Sequence, residues 1–212
     1  MQTCAFTGHR PQKFPWRYDE SADACIALKN RIAMEIQALV MCGCRTFLSG
    51  MALGTDQWAA SAVLALRHEI PDIQLHCALP CEDQDRKWNP KQKESYHTIL
   101  GQADSVVYVS RLYTTDCMLK RNHYMVDQAD MLLAVYNGEK RGGTAATVRY
   151  AKRRGREILI LNPITLTVTH EPLDAGEESQ RQPHNIDSAL IKSERRGIIS
   201  GGDKCKCKLY TG

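Results

Sequence analysis

The sequence predicts an α/β fold: a parallel β-sheet with helices on both faces, followed by a polar C-terminal tail. Three observations predict it. Short apolar runs alternate with stretches whose apolar residues recur at helical spacing. Glycine-containing turns join a strand to a helix start twice, once around Gly50 and Gly54 and once around Gly142 and Gly143. Strands joined in succession through helices run parallel, by right-handed crossovers.

The first strand is expected at Thr3–Thr7, running into Gly8-His9-Arg10-Pro11. Pro11 pushes Arg10 towards an extended backbone. His9 and Arg10 then project from a strand end, where open α/β sheets bind ligands; a polar surface loop is the plainer alternative. Cys25, Leu28, Ile32, Ile36 and Leu39 mark an amphipathic helix, with Asp19, Glu20 and Asp23 near its start and Gly43 at its end. Arg45-Thr46-Phe47-Leu48 reads as the second strand. The turn Ser49-Gly50-Met51-Ala52-Leu53-Gly54-Thr55-Asp56 follows. Gly50 and Gly54 permit tight turning and close backbone approach. Thr55 is expected to cap the next helix, whose first N–H groups are free to meet an anion. Ala59, Ala62, Val63 and Leu66 continue that helix.

Ile73–Leu79 is the third strand, and a polar loop from Cys81 to Trp88 follows it. Trp88 either stacks on a ligand base or covers the edge of the core. Tyr96, Ile99, Leu100 and Ala103 mark a helix, and Ser105–Val109 a fourth strand. The segment Met118–Asp127 reads as a helix with a polar face, so Arg121 faces either a cleft or solvent. Met131–Tyr136 is the fifth strand. Asn137 and the glycine turn Gly142-Gly143-Thr144 lead into a helix with Ala145, Val148 and Ala151 on one face, a second candidate anion site. Arg149, Lys152, Arg153, Arg154 and Arg156 crowd the end of this helix, where positive charge is favourable and a solvated face is the default. Gly155 ends it, and Glu157–Leu161 forms a sixth strand.

From Pro163 the pattern fails. One edge strand over Ile164–Val168 fits; beyond His170 the sequence is polar and expected to be mostly disordered, with a short helix near Ile186–Ile191. The expected organisation is a domain at 1–162 and an extension at 163–212.

A chain of 212 residues can bury a core without disulfides. Its net charge of +4 permits anionic ligands without demanding nucleic acid. No apolar run is long enough to cross a membrane. The opening residues lack a basic-then-apolar signal, so a cytoplasmic location is expected. The nine cysteines are scattered, and the pairs Cys42/Cys44 and Cys205/Cys207 lack zinc-site spacing. Reduced thiols, no metal and no cofactor are expected.

Four motifs in order, Thr7-Gly8-His9-Arg10-Pro11, Ser49–Ala59, Arg121-Asn122-His123-Tyr124-Met125-Val126-Asp127 and Gly142-Gly143-Thr144, resemble those of the YpsA-type proteins. This bacterial family lies within the SLOG superfamily, with the DNA-processing protein DprA and the Lonely Guy phosphoribohydrolases. The resemblance covers residues 1–162. It implies a Rossmann-like domain that binds a nucleotide or nucleotide-derived ligand. The Ser49–Asp56 turn is similar to the Ser-Gly-x-Ala-x-Gly-x-Asp turn of DprA. Arg121 aligns with the catalytic arginine of the Lonely Guy enzymes, and Thr147 falls where they carry a catalytic glutamate. A hydroxyl there supplies neither a charge for an oxocarbenium ion nor a base near neutral pH.

Three readings follow. The first is a non-catalytic sensor or regulatory domain for a nucleotide or ADP-ribose-like ligand. Gly8, His9, Arg10, Ser49, Gly50, Met51, Gly54, Thr55, Asp56, Trp88, Arg121, Asn122, Asn137, Gly142, Gly143 and Thr144 would line its site. The second is an N-glycosidic hydrolase using Arg121 with a carboxylate from elsewhere, such as Asp127 or Asp56. The third is a DprA-like binder of single-stranded DNA, ranked last because the basic run lacks interleaved aromatics. The expected partner is a nucleotide-derived small molecule; a homo-oligomer is left open and no membrane partner is expected.

Overall fold

The computed structural model describes residues 2–171. Their β-strands are β1 (Gln2–Gly8), β2 (Cys44–Ser49), β3 (Gln74–Leu79), β4 (Ser105–Tyr108), β5 (Met131–Val135), β6 (Glu157–Leu161) and β7 (Val168–Glu171). The helices are α1 (Asp23–Met41), α2 (Thr55–Arg67), α3 (Pro90–Leu100), α4 (Cys117–Gln128) and α5 (Gly143–Arg153), with a 3-10 turn at Pro11–Lys13. The strands form one sheet in the order β4-β3-β2-β1-β5-β6-β7. Every pairing is parallel except β6 with β7, which is antiparallel.

Helices cover both faces, as the strand–helix alternation requires. Alternate side chains of each central strand leave by opposite faces. Cys4 and Phe6 of β1, Phe47 of β2 and Leu75 and Leu79 of β3 join Leu28, Ile32 and Ile36 of α1 and Val63 of α2 in one core layer. Phe6 stacks on Phe47 with ring centroids 5.7 Å apart. Ala5, Leu48, Ala78, Leu132 and Ala134 face the other way, onto Met125 and Val126 of α4 and Val148 and Ala151 of α5. All five residues of β5 are buried, which is why its sequence reads as an unbroken apolar run.

The chain winds outward from β1 to β4 on one side. It then returns through α4 to β5 on the other side of β1. The strand order thus reverses between β1 and β5, and open α/β sheets bind ligands at the carboxyl ends of the strands at such a switch point.

The structure departs from the sequence expectation at two places. The helix at Thr55 is capped by Gly54, whose φ is 91°; Thr55 is the first helical residue, and its hydroxyl donates to the carbonyl of His9 at 3.1 Å. A tertiary partner has taken the hydroxyl that local geometry would spend on the cap. The edge strand expected at Ile164–Val168 lies instead at Val168–Glu171, overlapping it only at Val168, and pairs antiparallel with β6. The remainder of the expected extension, with the helix near Ile186–Ile191, lies outside the described residues.

Cys4, Cys25, Cys44, Cys77, Cys81 and Cys117 are buried free thiols. Burial pushes Cys44 and Cys81 up to about 11 and Cys77 up to about 12. At pH 8 a thiol at 11 is thiolate in roughly one molecule in a thousand, and the thiolate is the nucleophile. Brief iodoacetamide treatment of the native protein at pH 8 should leave these three unmodified, and urea should expose them. Rapid labelling of Cys77 without denaturant, read by peptide mass spectrometry, would contradict this packing.

Candidate functional site

The site is built on loops at the carboxyl edge of the sheet. At the switch point, the Nε2–H of His9 donates to Oδ1 of Asn137 at 2.8 Å, which ties the loop after β1 to the loop after β5. Asn137 Oδ1 also accepts the N–H of Glu139 at 3.2 Å. Lys13 pairs with Glu139 at 2.9 Å across the same two loops. Gly8 lies against α2: a Cβ built on it would fall 2.4 Å from Oγ1 and Cγ2 of Thr55, which requires glycine there.

Arg121 of α4 is 3 % exposed and Asp56 of α2 is 6 % exposed. Their closest atoms, Nη1 and Oδ2, stand 3.4 Å apart. A charge-assisted N–H···O bond usually closes to about 2.7–2.9 Å, so the pair leaves each charge incompletely satisfied. Arg121 Nε is buried and has no hydrogen-bond partner among the described residues. Burial pushes the Asp56 carboxyl above the usual carboxylate range, against the pull of Arg121. Burial also pulls the guanidinium down, with Asp56 opposing. The field of Arg10 reaches both groups and adds a second positive charge to one carboxylate. Arg10 itself is exposed, with Nη2 3.7 Å from the Met118 sulfur of α4.

The two glycine turns differ. Gly50, Met51, Ala52, Gly54, Thr55 and Asp56 are buried. Gly142 and Gly143 are exposed, and a Cβ built on either meets nothing within 4 Å. Gly142 has φ 109° and caps α5 without a side-chain bond, so the first N–H groups of this helix open outward. Behind them, Asn122 donates to the Thr147 hydroxyl at 2.9 Å, which in turn donates to the carbonyl of Gly143 at 2.9 Å.

The structure thus brings His9, Arg10, Asn137, Asp56, Arg121, Asn122 and both glycine turns to one edge of the sheet. Trp88 packs edge-on against Tyr96, centroids 5.1 Å apart, at the margin of the core. Asp127 lies at the far end of α4, where it accepts from Tyr150 at 3.0 Å and pairs with Arg154 at 2.8 Å. Gln57 and Gln84, which the sequence did not single out, both donate to the carbonyl of Met51, at 3.2 and 2.9 Å. Among the described residues no cluster of His, Cys, Asp and Glu could hold a metal ion, and no helix is long and apolar enough to cross a membrane.

Residues 4–166 match the sequence profile of the YspA SLOG family, YpsA. The chain belongs to this family. Members of similar sequence include a UPF0398 protein of Bacillus thuringiensis strain Al Hakam, 32 % identical over 158 residues, which span 73 % of this chain and 85 % of the relative. A UPF0398 protein of Bacillus cereus strain G9842 is 31 % identical over the same coverage. Among solved structures, DNA processing protein A from Helicobacter pylori, described for its single-stranded DNA binding mode, superposes with a TM-score of 0.52 at 16 % identity. That match covers 76 % of this chain and 65 % of the other, less than two thirds of its length. At that identity the likeness shows a shared fold. For a SLOG family member the Rossmann-like sheet is therefore established.

Proposed function

We propose that this SLOG domain binds a nucleotide or nucleotide-derived anion, ADP-ribose-like in kind, as a sensor or regulatory module. The observation that carries the reading is Arg121. Its guanidinium is buried, its Nε is unpaired among the described residues, and its one carboxylate stands at 3.4 Å while Arg10 adds further positive charge. A buried cation left in that state favours an anion. The open start of α5 at Gly142–Thr144 offers backbone N–H groups for a phosphate on the same edge of the sheet. The test is native mass spectrometry of freshly purified protein, then calorimetry with AMP, ADP and ADP-ribose. Binding of at least one of them without release of base is expected. Absence of all binding would sink the reading.

The hydrolase alternative is favoured by one observation, the contact of Asp56 with Arg121, which supplies the carboxylate that Thr147 lacks. Asp127 is committed to Tyr150 and Arg154. Release of free base from AMP, followed chromatographically, separates this reading from the first. Single-stranded DNA is the third ligand class, on the strength of the Helicobacter pylori relative; a salt-dependent shift of a labelled oligonucleotide tests it.

A further inference from the structure

The first glycine turn is closed from within. The Ser49 hydroxyl accepts the N–H of Met51 at 3.2 Å and donates to the carbonyl of Asp56 at 2.9 Å. The N–H of Ala52 goes to Asp56 Oδ2 at 3.3 Å. The carbonyls of Gly50 and Met51 are taken by Gln84, and Met51 also by Gln57. The carboxylate that an anion site at the start of α2 would receive is the protein's own Asp56.

Gly50 has a different partner. A Cβ built on it would fall 1.3 Å from Arg121 Nη1, 2.2 Å from Cζ and 2.8 Å from Nε. The guanidinium therefore lies directly over the bare α-carbon, between that backbone and Asp56. No side chain larger than hydrogen at position 50 leaves it there.

We propose that the turn at Gly50 is a slot for Arg121 and not a cradle for phosphate. Gly50 and Asp56 are positioning residues: one clears the space, the other supplies the counter-charge, and together they fix the guanidinium beside the cleft. The ligand's phosphate is then left to Arg121 and the open start of α5. This last step rests on the nucleotide-binding reading; the slot itself does not.

A double-mutant cycle decides the matter in two arms. The first arm needs no ligand. Gly50 is not in the left-handed region, so alanine is allowed by its backbone. Gly50→Ala should lower the melting temperature of the otherwise native protein by several degrees, because it evicts Arg121 from Asp56. In the Arg121→Ala background the same change should move it by less than about 1 °C, because the space is vacant. Equal shifts in both backgrounds would overturn the slot.

The second arm measures AMP affinity by calorimetry. Gly50→Ala and Arg121→Ala should each weaken AMP at least tenfold, and the double variant should bind no more weakly than Arg121→Ala alone. Losses that multiply would mean that the Gly50 backbone meets the phosphate itself, and the proposal would fall. If the unaltered protein binds no AMP, the choice of ligand fails, while the first arm still decides the slot.

Discussion

Asp56→Ala should lower the melting temperature by roughly 10 °C. The change strands the Arg121 guanidinium, which is buried and which cannot shed its proton. Breaking a buried pair by removing one partner costs about 3–5 kcal/mol, and about 1 kcal/mol moves the melting point of a domain this size by roughly 2–4 °C. The loss has a second source, since Asp56 also accepts the N–H of Ala52. Differential scanning calorimetry at pH 7 should show the deficit directly. A shift of only a degree or two would mean that water reaches Arg121 and that the pair is no buried pair.

Arg121→Ala should behave differently in two respects. Any phosphate-bearing ligand should bind more weakly by about 2–5 kcal/mol, the usual cost of truncating one partner of a buried, hydrogen-bonded charge pair. Stability should also become pH-dependent, because the stranded group is now a carboxyl that can take up a proton. Burial already holds Asp56 above its unfolded value, and Arg121 supplies the chief pull downward. Without Arg121 the folded chain binds that proton more tightly than the unfolded chain does. The stabilisation from the neutral carboxyl is complete below the unfolded value of about 3.9 and is lost as pH rises through the folded value. Melting of the variant should therefore approach that of the parent on acidification and fall behind it towards neutrality. A deficit that grows as pH falls would contradict the burial of Asp56.

Much of this fold is legible in the sequence because its central strands are buried on both faces. Met131–Val135 and Cys4–Phe6 can be nothing but interior strand once glycine turns and amphipathic helices bracket them. Many of the candidate residues share one edge for a similar reason: they follow strand ends, and open α/β sheets gather strand ends there. What the two glycine turns do was not legible. Both offer the same signal, small residues before a helix. The difference lies in a side chain 71 positions away from Gly50, Arg121, whose path over that glycine is a matter of tertiary packing. Thr55 follows the same rule; an N-cap residue by sequence, it is claimed by the carbonyl of His9. Gln57 and Gln84 carried no signal, because amides that tie down a loop have no characteristic spacing.

Helix α4 places consecutive residues in two different loop systems. Arg121 reaches Asp56 and Gly50, while Asn122 reaches Thr147 and through it the carbonyl of Gly143. Successive side chains on a helix diverge by about 100° around its axis, so this helix works as a crossbar between α2 and α5. A rotation of α4 about its axis cannot bring one contact closer without carrying the other away. One helix therefore couples the turn before α2 to the turn before α5, so a displacement of α4 disturbs both.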